Sequence, residues 1–178
     1  SLERNLNMTT KSRLTRMTII LGSIASLGLA SCGGSESSSA CPTISEGKLT
    51  IATGTPAFEP WVVNDAPESG EGFEAAVAYA VATELGYKNE DVVWVRTGFD
   101  EAVQPGAKNF DFNLQQYSIT DERKATVSFS DPYYSTNQAV VGFEDSPVAS
   151  ATKLSELKEL KFGAQSGTTS LDFILNVI

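Results

Sequence analysis

From Lys48 to Thr53 polar and apolar residues alternate (Lys-Leu-Thr-Ile-Ala-Thr) between Gly47 and Gly54, and this period of two predicts a strand. A loop rich in proline follows, with Pro56, Pro60 and Pro67. Phe73, Ala76, Val77, Ala80, Val81 and Leu85 then recur at helical spacing, with Gly86 as a C-terminal stop. The pattern predicts a helix whose Phe73, Val77 and Val81 enter the core. Val92 to Val95 reads as a second strand, Phe99 to Val103 as a short helix broken by Pro105-Gly106, and Phe110, Phe112 and Leu114 as a third strand. Gln138 to Phe143, containing Val140 and Val141, predicts a fourth strand, and Lys161 to Gln165 a fifth. Between them Leu154, Leu157 and Leu160 have helical spacing over Lys153 to Leu160, and a further helix begins near Thr169 and runs to Val177. Alternation of strands and helices in this rhythm implies an α/β fold with a largely parallel sheet. Trp61 and Trp94 read as packing residues, and Asp131-Pro132 as turn chemistry leading into Tyr133 and Tyr134.

The first 31 residues have a different pattern. Lys11, Arg13 and Arg16 form a basic cluster, and Thr18 to Ala30 is mostly apolar and too short for a comfortable membrane span. Small residues then precede Cys32. Basic flank, short apolar core and small-residue end describe a secretory signal. Leu29-Ala30-Ser31-Cys32 resembles the bacterial lipobox, in which the Cys is lipidated; the alternative is an ordinary signal with a chance Cys. Gly33 to Ala40 is Gly-Gly-Ser-Glu-Ser-Ser-Ser-Ala, a composition that buries nothing and predicts a flexible tether across 32–46. Cys41 is then the odd thiol, either lacking a partner or free and buried. At the other end Phe173, Ile174, Leu175, Val177 and Ile178 crowd together with no polar tail, an apolar end that predicts continuation of the natural chain.

Composition narrows the chemistry. The 178 residues hold 13 Lys and Arg against 22 Asp and Glu, net −9, which argues against nucleic acid as a partner. Without residues 1–31 the balance is 9 basic to 21 acidic, net −12. There is no His, which removes Ser-His-Asp and Cys-His triads, His-containing zinc sites and imidazole acid/base chemistry. Two Cys cannot supply a four-thiolate metal site. No cofactor is implied.

Ser118-Ile119-Thr120-Asp121-Glu122-Arg123 follows the third strand, beyond the carboxyl edge where α/β sheets place ligands. Arg123 offers a rigid donor fork for a carboxylate, and Ser118 a further donor; the alternative is a surface ion pair. Thr120 or Asp121 can cap a short helix there. Glu59 reads as a solvated loop acid.

Several stretches stand in a suggestive order: Gly72-Phe73-Glu74 at a helix start, Ile119-Thr120-Asp121-Glu122-Arg123, Phe129-Ser130-Asp131-Pro132-Tyr133-Tyr134, and Phe162-Gly163-Ala164-Gln165-Ser166-Gly167-Thr168-Thr169. In this order and spacing the chain resembles the family 3 extracellular solute-binding proteins, from about Gly47 to Ser170. The resemblance implies the type II periplasmic-binding-protein-like fold, here the first lobe (47–140), a hinge strand and the start of the second lobe (141–178). It implies an extracytoplasmic, monomeric receptor, lipid-anchored through Cys32, that binds a small amino acid in the cleft between lobes and hands it to the permease of an ABC importer. By the same resemblance Arg123 holds the α-carboxylate with help from Ser118, and the backbone carbonyl at Gln116 receives the α-amino group. Phe58 and Phe99 stack on the ligand, and Thr168 and Thr169 belong to the segment whose backbone N–H groups grip the carboxylate. An acid for the ammonium falls beyond Ile178. Gln115-Gln116 stands where small residues are more usual, which changes the pocket floor. The same fold also carries dehydratase-like enzymes and the ligand-sensing modules of membrane receptors. A dehydratase without His needs a cleft carboxylate for its acid/base work, and no carboxylate pair stands beside Arg123 in the sequence.

Overall fold

The structure is a computed structural model and describes residues 42–178. The signal segment, Cys32, the Gly/Ser stretch and Cys41 lie outside the described residues. Strand β1 (Leu49–Gly54) is buried along its whole length. It runs parallel to β2 (Val92–Thr97) on one side and to β3 (Phe112–Asn113) on the other, giving the order β2-β1-β3. Parallel neighbours need crossovers. Helix α1 (Phe73–Glu84) supplies the one between β1 and β2, and the short α2 (Phe99–Val103) lies between β2 and β3. Two more helices follow, α3 (Asp121–Lys124) and α4 (Thr169–Val177).

Leu49 and Ile51 from β1 meet Ala78 and Ala82 of α1 and Leu114 after β3, with Val77, Tyr87, Val92, Trp94 and Phe112 packed around them. The helix therefore turns a different stripe inward from the one its large residues predict. Glu74, Ala75, Ala78 and Ala82 are buried, whereas Phe73 and Val81 are exposed and Val77 only half-buried. Small residues allow the helix to lie close on a fully enclosed strand, and larger side chains on that face would hold it away. Trp94 packs as expected, with its indole N–H donating to the Tyr79 hydroxyl at 3.2 Å. Trp61 stands edge-on to Phe73 and to Tyr134, with ring centroids at 5.8 and 5.1 Å.

The β1–α1 loop is tied at both ends. The carbonyls of Pro60 and Trp61 accept the N–H groups of Phe73 and Glu74, satisfying donors that a helix start leaves open. Gly72 makes this approach possible. It has φ 104°, and a Cβ there would stand 2.5 Å from the Trp61 oxygen. At the other end Arg96 of β2 donates to the Gly54 carbonyl at 2.8 Å and to the Asp65 carboxylate at 2.5 Å. The same carboxylate accepts the Ala57 N–H at 2.8 Å. That backbone bond first, and Arg96 second, hold the Asp65 carboxyl below its ordinary range.

Beyond α3 the sequence pattern and the structure part company. Neither 138–143 nor 161–165 forms a strand, and Val141 and Phe143 are 90% and 84% exposed. A strand needs a neighbour to receive its backbone groups, and neither segment pairs with β2, β1 or β3. They instead flank a cavity of about 980 Å³ with α4, lined by Val140, Leu160, Phe162, Phe173 and Ile174 among others. The predicted helix over 153–160 shrinks to a single 3-10 turn, Leu154–Glu156, in which only the adjacent Leu157 is buried. A short helix with one buried residue does not recover its nucleation cost. Among the described residues no helix is long and apolar enough to cross a membrane.

Two predictions test this frame. Gly72→Ala is expected to destabilise the protein by about 1–3 kcal/mol, read as a lower urea midpoint, because it adds a side chain to a left-handed, closed position. A midpoint equal to wild type would contradict the close approach. The folded-state value of Asp65 is depressed, so its contribution is complete above the ordinary value of 3.8 and is lost as pH falls below that. Hydrogen exchange at Ala57, corrected for intrinsic rate, is expected to accelerate on acidification through that window. In Asp65→Asn that acid-dependent step should be gone.

Candidate functional site

The site is built at the carboxyl ends of β1 and β3. β3 ends at Asn113, and Gln116 takes a left-handed backbone, φ 52°, that turns the chain into Tyr117 and Ser118. Thr120 then caps α3, its hydroxyl accepting the Arg123 N–H at 3.2 Å. This short helix brings the Arg123 side chain back towards the segment that precedes it.

Arg123 is only 9% exposed. Its guanidinium donates to the Ser118 carbonyl at 2.7 Å and to the Gly167 carbonyl at 2.8 Å. It lies 5.4 Å from the ring centroids of both Phe99 and Tyr117, which stack on each other at 4.4 Å. The Tyr117 hydroxyl donates to the Phe99 carbonyl at 2.6 Å and so fixes the pair. Burial pushes the Tyr117 hydroxyl well above its ordinary range, against the opposing pull of Arg123, so the phenol stays neutral beside the cation. No carboxylate pairs with Arg123 among the described residues; the ion pairs there are Lys48–Asp91, Lys88–Glu90, Arg96–Asp65 and Lys124–Asp121. A guanidinium has five N–H donors, and two are in use. The surface ion pair weighed for Arg123 from the sequence is therefore not what the structure contains.

The 163–169 segment closes against this cluster. Gly167, at φ 72°, lies so near α2 that a Cβ would stand 2.1 Å from an Asp100 carboxylate oxygen. Thr168 caps α4, its hydroxyl accepting the Leu171 N–H at 3.2 Å. Thr169 meets Ser118, hydroxyl to hydroxyl, at 3.1 Å. Gln138 donates to the Thr169 hydroxyl at 3.3 Å, and its amide oxygen accepts from Ser170 at 2.9 Å. The start of α4 thus lies beside the guanidinium through Gly167, and a helix start and a guanidinium each favour an anion.

Of the residues singled out from sequence, Arg123, Ser118, Phe99, Thr168 and Thr169 come together here. Gln116 stands at the edge, with its backbone and side-chain N–H groups both directed to Glu74. Phe58 does not join them: its ring is 63% exposed on the β1–α1 loop, with no aromatic partner among the described residues. Glu59 is an exposed loop acid that accepts the Asn64 N–H at 3.3 Å. Sequence reasoning passed over Tyr117, Gly167, Gln138 and the inward direction of Glu74. Tyr117 carried a usable signal, an aromatic directly before Ser118 at the end of a strand. An acid in a helix's first turn reads only as a dipole partner. Among the described residues no cluster of His, Cys, Asp and Glu could hold a metal.

The chain matches the family model for bacterial extracellular solute-binding proteins, family 3, over residues 49–173. It is 28% identical over 149 residues to a probable histidine-binding protein of Neisseria gonorrhoeae, covering 82% of this chain and 53% of the relative. It is 30% identical over 151 residues to the arginine-binding extracellular protein ArtP of Bacillus subtilis, covering 84% and 55%. The lysine/arginine/ornithine-binding periplasmic protein of Escherichia coli is 28% identical over 122 residues, covering 67% and 45%. The chain thus spans about half the length of the curated relatives it matches. No solved structure gives a match. With the family match running from the first strand into the last helix, over the whole of the site just described, the chain belongs to the bacterial extracellular solute-binding proteins, family 3, and its parallel sheet is part of a periplasmic-binding-protein-like fold.

Proposed function

We propose that this chain is the ligand-binding part of an extracytoplasmic receptor that captures a small amino acid between two lobes and delivers it to an ABC importer. The observation that carries the reading is Arg123, a buried cation with no carboxylate among the described residues. Burying a charge is costly unless it is paired and hydrogen-bonded. An incoming α-carboxylate supplies the missing counter-charge and accepts the unused N–H donors. The start of α4 and the Ser118 hydroxyl stand next to it. Phe99 and Tyr117 keep water from one side of the guanidinium and hold it flat.

Charge-assisted hydrogen bonds contribute about 1.5–3 kcal/mol each. Three or four give micromolar affinity, about −8 kcal/mol, after ordering costs. Residues 47–140 form the first lobe in this reading, and 141–178 the hinge strand with part of the second. The Ser118–Thr169 contact is then where the lobes meet, and a ligand carboxylate replaces hydroxyl–hydroxyl pairing there. The carbonyl of Gln116 is the acceptor for the ammonium, and Phe58 folds in over the ligand. The names of the relatives, which specify histidine, arginine, lysine and ornithine, support an amino acid as the cargo. Cys32 is the site of acylation, which holds a monomeric receptor at the membrane beside its permease.

Calorimetric titration of the full-length protein with histidine, arginine, lysine and glutamine tests the reading. At least one is expected to bind, and Arg123→Ala should weaken it on the order of 100-fold or more while circular dichroism stays native. Near-normal affinity in that variant would remove Arg123 from the site. For the anchor, Cys32→Ser is expected to move the protein from the membrane pellet to the soluble fraction. A variant that still sediments with membranes counts against acylation at Cys32.

A further inference from the structure

Glu74 is a buried acid that the receptor reading leaves without a task. It stands in the first turn of α1 and is 1% exposed. No cation pairs with it among the described residues. Its carboxylate instead accepts the backbone N–H of Gln116 at 2.8 Å, the side-chain amide of the same residue, and the Tyr133 hydroxyl at 2.5 Å. The other buried positions of this helix face are Ala75, Ala78 and Ala82, so an apolar residue would suit the face better than a charge. An acid here is explained by what it holds.

What it holds is the turn that aims the site. Gln116 occupies the left-handed region, φ 52°, which a residue with a side chain adopts only when its surroundings impose it. Both N–H groups of that residue end on one carboxylate, a two-point grip that fixes the backbone direction. The next residues depend on that direction. Tyr117 must lie on Phe99, and the Ser118 carbonyl must reach the Arg123 guanidinium. We propose that Glu74 is a positioning residue for amino-acid binding: it clamps Gln116 and thereby sets where Arg123 presents its free donors. Tyr133 extends the clamp to the segment that leaves this half of the molecule. This rests on the receptor reading above. It also accounts for Gln116, whose side chain supplies the second point of the grip.

The test compares affinity with a rescue. Glu74→Gln keeps the shape but removes the charge and one acceptor oxygen, so the Gln116 side-chain amide must turn to stay bonded and every bond in the clamp becomes a neutral one. Affinity for the amino acid found by calorimetry is expected to fall on the order of tenfold. Adding Gln116→Glu to that variant returns an acceptor to face the new donor, and most of the affinity should return. A purely structural loss would not be repaired by the exchange. Wild-type affinity in the single variant, or no recovery in the exchanged pair, overturns the proposal. If Glu74→Gln does not fold, Tyr133→Phe removes one oxygen from the clamp and is expected to weaken binding a few-fold, because it acts on the site only through Glu74; wild-type affinity there overturns it equally. Should the wild-type protein bind no amino acid, the receptor reading has failed, and amide exchange at Gln116 reads the clamp without ligand. Strong protection that is lost in Glu74→Gln or Tyr133→Phe then supports the clamp, and an unprotected Gln116 in wild type rejects it.

Discussion

A guanidinium enclosed by protein, with no opposite charge beside it among the described residues, is the constraint around which this molecule is arranged. Arg123 obtains two carbonyls and two aromatic neighbours, which hold it in place, and no carboxylate among the described residues offsets its charge. Carbonyl dipoles and ring quadrupoles stabilise a cation by modest amounts, about 0.5–2 kcal/mol for a ring. An ion of opposite sign stabilises it far more in such surroundings. The start of α4, which neighbours the guanidinium through Gly167, favours the same sign of partner.

The sheet makes the arrangement possible because it is parallel. All three strands end on the same side, so β1 delivers the Gly54 turn and the loop with Phe58, and β3 delivers Gln116 to Ser118. Two charged residues then secure these deliveries from within. Arg96 ties the β1–α1 loop through Gly54 and Asp65, and Glu74 ties the turn after β3 through Gln116. Ordinary apolar packing between β1 and α1 provides the rigidity, and the polar ties provide direction.

The rest of the chain, from about 138 onwards, is organised differently. Its apolar segments flank a wide cavity, and its best-defined element is α4. Among the described residues its hydrogen bonds to the first part are Ser118 with Thr169 and Arg123 with Gly167. Hydroxyl and amide contacts of this kind exchange readily for a ligand's own polar groups, which an apolar seam would not do.

Local pattern determined a good part of this protein. The alternation at Lys48–Thr53, the run ending at Gly86, the strand at Val92 and the helix start at Thr169 each express a preference carried by neighbouring residues, and all four elements are present. The position of Ser118 and Arg123 just beyond a sheet strand was legible too, because it follows from the local strand pattern. Tertiary structure decided the remainder. Which stripe of α1 faces inward depended on how close a fully buried β1 lets a helix approach, and the alanines fit that spacing where the larger residues did not. Whether 138–143 and 161–165 become strands depended on neighbours that no local pattern can supply. The tasks of Glu74 and Tyr117 arise only when residues 42 and 18 positions apart are brought within hydrogen-bonding distance. An interaction between distant residues leaves no period in the sequence, and so it is read only from the folded chain.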